Sequence, residues 1–138
     1  MNGAASSQGI PGVTTMHAGV RFGVKGADAS AWLTQRSIVV PDAPNRISRW
    51  GGGRCLRLGN TEFLVELDSA GSQIRAAEGN SDDTASAWVL LRSDHSLLLT
   101  GAPWPDELAR ICSFDFGRWR DEPDLVVMTL VAGIGVTL

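Results

Sequence analysis

The stretch WGGGRCLRLGNTEFLVEL, Trp50 to Leu67, decides how the middle of the chain folds. Three consecutive glycines before an arginine suit two roles, a cradle for a phosphate or a bend between strands. A phosphate-binding glycine loop opens a helix whose N-terminal amides point at the anion, and it often carries a Lys-Ser/Thr pair. Neither feature follows here. Cys55, Leu56, Leu58, Phe63, Val65 and Leu67 instead make a β-rich run broken only by Gly59-Asn60. A glycine-containing turn between two such runs signals a hairpin. The glycines read as structural.

At 138 residues the chain suits one domain, or two small halves sharing one core. An apolar fraction of 43% and a charged fraction of 20% describe a globular protein. The formal net charge of −3 opposes nonspecific nucleic-acid binding, which needs a surplus of cations. The cations are eleven arginines and one lysine, scattered along the chain as solvated strand edges and helix faces would have them. Cys55 and Cys112 are too few and too far apart for a zinc site or a disulfide framework. Their apolar neighbours point to reduced core thiols and favour the cytoplasm. The opening MNGAASSQGIPGVTT has no basic n-region and no apolar h-region, and residues 1–15 read as a flexible tail. The run LVVMTLVAGIGVTL, Leu125 to Leu138, falls short of the roughly 20 residues of a membrane helix. Its β-branched content with Gly133 and Gly135 predicts strand, turn, strand, and no membrane partner is expected.

One domain is expected over residues 16–138, in halves of about 16–80 and 85–138. HAGVRFGVKG alternates as a strand does and ends at Gly26. ADASAWLTQRS is helix-like, with Asp28 as N-cap or first-turn acid and Ala29, Trp32 and Leu33 on one face. The prolines of VPDAPN break the chain before the hairpin. SAGSQIRAAEG predicts a short second helix closed by Gly79, and NSDDTAS a polar loop. Then AWVLLRSDHSLLLTG reads as a strand pair, PWPDELARICS as a helix entered through prolines, and DFGRWRDEPD as a loop. At an offset of 75, Val24, Gly26, Ala27 and Leu33 align with Leu99, Gly101, Ala102 and Leu108. Each half thus reads strand, Gly-Ala turn, helix, hairpin. Neither half buries a sheet alone, so the fold class expected is α+β, two pseudo-repeated halves sharing one core.

VKGADASAWLTQRSIVVPDAPN, RCLRLGNTEFLVE and LRSDHSLLLTGAPWPDELARICSFDF resemble the gamma subunit of heterotetrameric sarcosine oxidases. More broadly they look like the folate-binding domain family shared with the glycine-cleavage T protein. The match runs from about His17 to Leu138. It is carried by Gly26-Ala27-Asp28-Ala29 before Trp32-Leu33, by Arg57-Leu58-Gly59 with Glu62-Phe63-Leu64, and by Leu91-Arg92-Ser93-Asp94 and Ile111-Cys112-Ser113. The resemblance implies a non-catalytic accessory subunit of an oxidoreductase complex acting on sarcosine or a related N-methylated amine. This chain would bind no cofactor, while FAD, FMN, NAD and tetrahydrofolate would sit in larger flavin-bearing partner subunits. The T protein's catalytic aspartate follows a strand that here reads Ala132-Gly133-Ile134-Gly135-Val136-Thr137-Leu138, without a carboxylate. Valine cannot hold an amine or protonate a leaving group. An alternative is a freestanding tetrahydrofolate-binding or aminomethyltransferase-like protein. The chain stops inside a predicted strand where family members continue, so a partner's strand is expected to complete that half-sheet.

Catalytic and metal readings find little support. His95 lies between Asp94 and Ser96, and neighbours on a strand face opposite ways, so no relay forms. No His/Cys/Asp spacing supplies the three converging ligands of a metal site. DDTAS and RDEPD lack the alternating oxygens and glycine of a calcium loop and read as solvated. The tryptophans remain. Trp32 reads as core-facing, while Trp50, Trp88, Trp104 and Trp119 fall at element ends or in loops, beside arginines or prolines. Arg49, Trp50, Arg54, Trp104, Arg118, Trp119 and Arg120 are candidates for a partner interface, because Trp and Arg are enriched at hot spots. The competing reading has the indoles roofing the core with arginines stacked on them.

Overall fold

The computed structural model describes residues 12–16, 19–68, 86–101 and 103–138. In chain order they form β1 (Gly12–Met16), β2 (Val20–Lys25) and α1 (Ala29–Gln35), then β3 (Arg46–Trp50), β4 (Gly53–Arg57) and β5 (Glu62–Leu67). After the gap come β6 (Trp88–Leu91), β7 (Ser96–Thr100), α2 (Trp104–Ala109), α3 (Arg118–Asp121), β8 (Met128–Val131) and β9 (Ile134–Thr137). The helix expected over 69–79 and the loop 80–85 lie outside the described residues, as does His17.

Five strands make the main sheet in the order β3-β4-β5-β2-β6, every pair antiparallel. Gly59-Asn60 turns β4 into β5, so the hairpin reading holds, and the three glycines fall at a second bend, between β4 and a strand β3 that the sequence reading did not delimit. Gly53 takes φ +152, and a Cβ there would stand 2.1 Å from the Glu66 carbonyl oxygen. Only glycine lets β4 approach β5 that closely.

Alternation sorts the sheet into two faces. Phe22, Val24, Cys55, Phe63, Val65 and Leu67 point to one, and α1 covers it with Ala29, Trp32 and Leu33. Phe22 meets Trp32 edge-on at 6.4 Å between ring centroids. Full burial of a side chain such as Phe22, Phe63 or Leu33 contributes about 1.5–3 kcal/mol. The helix stops where Ser37 turns left-handed at φ +59, and the amides of Ser37 and Ile38 return to the carbonyls of Thr34 and Leu33. Ile38 then packs beside Leu33, completing a capped end. Asp28 precedes the helix as expected, but its carboxylate caps no helix amide. It accepts from the Ser86 amide at 2.9 Å, tying the helix start to the approach of β6.

Cys55 is wholly buried, and burial pushes its thiol up to about 12 against a smaller downward pull from Arg57. The raised value means that ionisation favours the unfolded chain. Stability from this group is full below about pH 9, the unfolded value, and falls as pH rises from there toward about 12. A thiol reagent at pH 8 is expected to leave Cys55 unmodified in the native protein and to modify it fully in denaturant, read by intact mass. Rapid native labelling of Cys55 would contradict this packing.

On the opposite face Leu56 and Leu64 are covered by Val126, with Ile47 and Leu58 around them. A third cluster joins Leu108, Cys112 and Phe116 to Leu99, Phe114, Trp119, Val131 and Leu138, linking α2, β7 and the β8–β9 hairpin.

Three expectations are corrected. Residues 12–15, read as tail, lie in β1 and pair with β7, because Val13, Thr14 and Thr15 are β-branched and the Leu97–Leu99 strand accepts them. The strands of AWVLLRSDHSLLLTG form but do not pair with each other: β6 joins β2 and β7 joins β1. DFGRWRDEPD holds the single helical turn α3. Gly26 and Gly101 both take positive φ, 137° and 105°, before a helix, and Leu33 and Leu108 are both buried. Their strands differ in setting, since β2 lies inside five strands and β7 pairs, among the described residues, with β1 alone.

Candidate interaction surface

Of the arginines singled out by the sequence, Arg49, Arg54 and Arg118 are engaged within the chain, while the side chain of Arg120 lies outside what the structure describes. Arg49 reaches Asp124 at 3.0 Å, and Arg118 reaches Glu122 at 3.0 Å. Arg46 also holds Glu122, at 2.6 Å. The hydrogen bond from Arg46, then that from Arg118, keeps the Glu122 carboxyl below its ordinary value. The acidic segment RDEPD is therefore not simply solvated: Glu122 and Asp124 fasten it to β3. Asp124 and Leu125 close the edge of β3, where the Ile47 amide donates to the Asp124 carbonyl and Arg46 bridges Leu125.

Arg54 pairs with Glu66, which also accepts from buried Arg21 at 2.7 Å. The other Arg21 nitrogens donate to the Asp94 carbonyl at 2.6 Å and to the Ser96 hydroxyl. This cluster clamps the link Arg92–His95, where the chain leaves the main sheet for the β1–β7 ribbon. His95 is exposed in that link rather than on a strand, while Asp94 bonds Arg92 and Ser96 bonds Arg21. No histidine relay is assembled there. Among the described residues no three His, Cys, Asp or Glu side chains converge on a possible metal site.

The tryptophans divide. Trp50 packs on the first core, Trp104 donates its indole N–H to the Thr100 carbonyl at 2.6 Å, and Trp119 meets Phe116 edge-on and Phe114 at a tilt. The Arg36 guanidinium lies over buried Trp32 at 3.7 Å. Trp88 differs, being 69% exposed at the start of β6. With it, Leu90 and Leu91 of β6, Leu97 and Leu98 of β7, Met128 and Leu130 of β8 and Ile134 of β9 face solvent. These eight are most of the large apolar side chains left exposed among the described residues.

Their strands share a trait that the composition conceals. Each of β2, β3, β4 and β5 carries two charged residues, whereas β6, β7, β8 and β9, like the short β1, carry none. Natural strands facing water place charges to discourage association, and a contiguous apolar surface marks a contact site. The signal was present in the sequence as strands without an ion, β6 to β9 and the short β1. The Trp/Arg reading passed over it, because enrichment in those types says nothing about which of them the fold has already paired.

No protein-family model and no curated protein matches the chain. Among solved structures it is similar to a chain of the heterotetrameric sarcosine oxidase from Corynebacterium sp. U-96, solved in complex with pyrrole 2-carboxylate. The TM-score is 0.79 at 19% identity, covering 96% of this chain and 71% of that one. At that identity the likeness is one of fold. The resemblance carried by the sequence motifs thus reappears, as a fold, in a chain of the assembly they point to.

Proposed function

We propose that this protein is a gamma-like accessory subunit of a flavin- and folate-dependent oxidoreductase complex acting on sarcosine or a related N-methylated amine. The observation that carries the reading is the set of charge-free, solvent-facing strands β6 to β9, on a fold similar to that of a chain from such an assembly. Its role is to bind and stabilise larger subunits, which hold FAD, FMN, NAD and tetrahydrofolate, and its two halves are pseudo-repeats of one strand-helix-hairpin pattern. The chain contributes no reacting group. Arg49, Trp50, Arg54, Trp104, Arg118, Trp119 and Arg120 are the proposed polar and aromatic partner contacts besides the apolar strands.

The test is affinity purification of the tagged protein from its native host, with intact mass and visible absorbance of the eluate. The expected result is a stoichiometric yellow complex containing larger subunits. A colourless lone protein sinks the reading, and titration with tetrahydrofolate then tests the freestanding folate-binding alternative.

A further inference from the structure

We infer that the outer edge of β6 receives an extended, uncharged segment of a larger partner subunit, which adds a sixth strand to the main sheet. The inference rests on the accessory-subunit reading and names the contact it uses. The two edges of this sheet are treated differently. At β3 the chain's own segment Asp124–Val126 closes the edge with backbone bonds, and Arg49 and Arg46 pin that segment through Asp124 and Glu122. At β6 no described residue pairs the outer side.

The register shows which groups wait there. The Arg92 amide donates to the Arg21 carbonyl at 2.9 Å, so alternation makes Arg21–Arg92 and Gly23–Leu90 the bonded pairs of this ladder. Val89 and Leu91 therefore turn their N–H and C=O groups outward. Trp88 and Leu90, 69% and 67% exposed, stand on one face beside Gly23, which adds no side chain to cover them. Leu91 stands exposed on the other face.

The occupant follows from this chemistry. Unpaired ladder groups call for extended backbone, and a strand free of charge calls for a segment that buries none against it. A second copy paired edge to edge would gain about four residues of ladder, well short of the roughly 1,200–2,000 Å² of a stable interface. A larger subunit can extend the contact beyond the four residues of β6.

The test compares wild type with Leu91→Pro and Leu90→Lys, each tagged and purified from the native host. Leu91→Pro removes an outward donor while sparing the bonded pairs, and an edge strand tolerates proline at such a position. Leu90→Lys leaves the backbone alone and puts a charge on the edge. Thermal melting of each isolated protein verifies folding. Wild type is expected to bring the flavin-bearing subunits stoichiometrically, and both variants, melting within a few degrees of wild type, at least ten-fold less. Retention of those subunits by either folded variant overturns the edge contact while leaving the accessory-subunit reading standing. Wild type recovered alone and monomeric overturns both. Wild type recovered as a homodimer that either variant dissolves overturns the partner assignment in favour of a second copy.

Discussion

Replacing Glu66 by alanine is expected to cost about 3–5 kcal/mol, a large share of the roughly 5–15 kcal/mol that keeps a domain folded. Glu66 is the anion between two guanidinium groups, and Arg21, 7% exposed, cannot turn to water when it goes. The Asp94 carbonyl and the Ser96 hydroxyl still accept from Arg21, but neither carries the charge that compensates a buried cation. Arg54 contributes less, because its side chain is about one third exposed and water screens it. Glutamine at 66 keeps an acceptor oxygen and the shape, so Glu66→Gln should lose about 1.5–3 kcal/mol. The pair Arg21→Met with Glu66→Leu removes both buried charges and should cost less than Glu66→Ala alone, since well-packed apolar replacements of buried pairs are often neutral. Urea denaturation followed by tryptophan fluorescence reads all three. A Glu66→Ala midpoint indistinguishable from wild type would mean that Arg21 is hydrated after all.

The cluster also shows where reading from sequence stops. α1 and the glycine hairpin were legible because their determinants are local: Ala29, Trp32 and Leu33 recur at helical spacing, and Gly59-Asn60 sits between β-rich runs. Arg21 finds Glu66 45 residues on and Ser96 75 residues on, distances at which no periodicity speaks. The same limit hid the partners of β6 and β7. Each is a short apolar run, and a four-residue link between two such runs suggests a hairpin until the fold supplies β2 and β1 as better neighbours. For the interaction surface, the residue types were in view but their local economy was not. Arg49, Arg54 and Arg118 looked available because Asp124, Glu66 and Glu122 could not be placed beside them. The absence of charge within β6, β7, β8 and β9 was hidden by the charged links between them, and it becomes visible only once the strands are delimited.

Gly53→Ala carries the second large effect and returns to the three glycines. A methyl at this position would sit 2.1 Å from the Glu66 carbonyl oxygen, with the Leu67 Cα at 3.0 Å, at a φ of +152° that L-residues avoid. Backbone, not a flexible side-chain tip, is what it meets, so β4 and β5 must separate. That separation strains the Gly53–Leu67 and Arg54–Glu66 pairings, next to the carboxylate that holds Arg21. Overpacking and left-handed strain each cost about 1–3 kcal/mol, and here they act together. Gly51→Ala is the contrast. A Cβ there meets nothing within 4 Å, so the change should be neutral or stabilise by about 0.4–1 kcal/mol through the unfolded chain. A phosphate cradle would make the opposite demand, since each of its glycines would be needed for close approach of the anion and none for the spacing of strands. Thermal melts of the two variants, with and without inorganic phosphate, separate the cases. Loss of stability confined to Gly53→Ala and indifferent to phosphate fits a strand contact. Phosphate raising the wild-type melting temperature, with Gly51→Ala abolishing that rise, would restore the anion reading that the missing helix argues against.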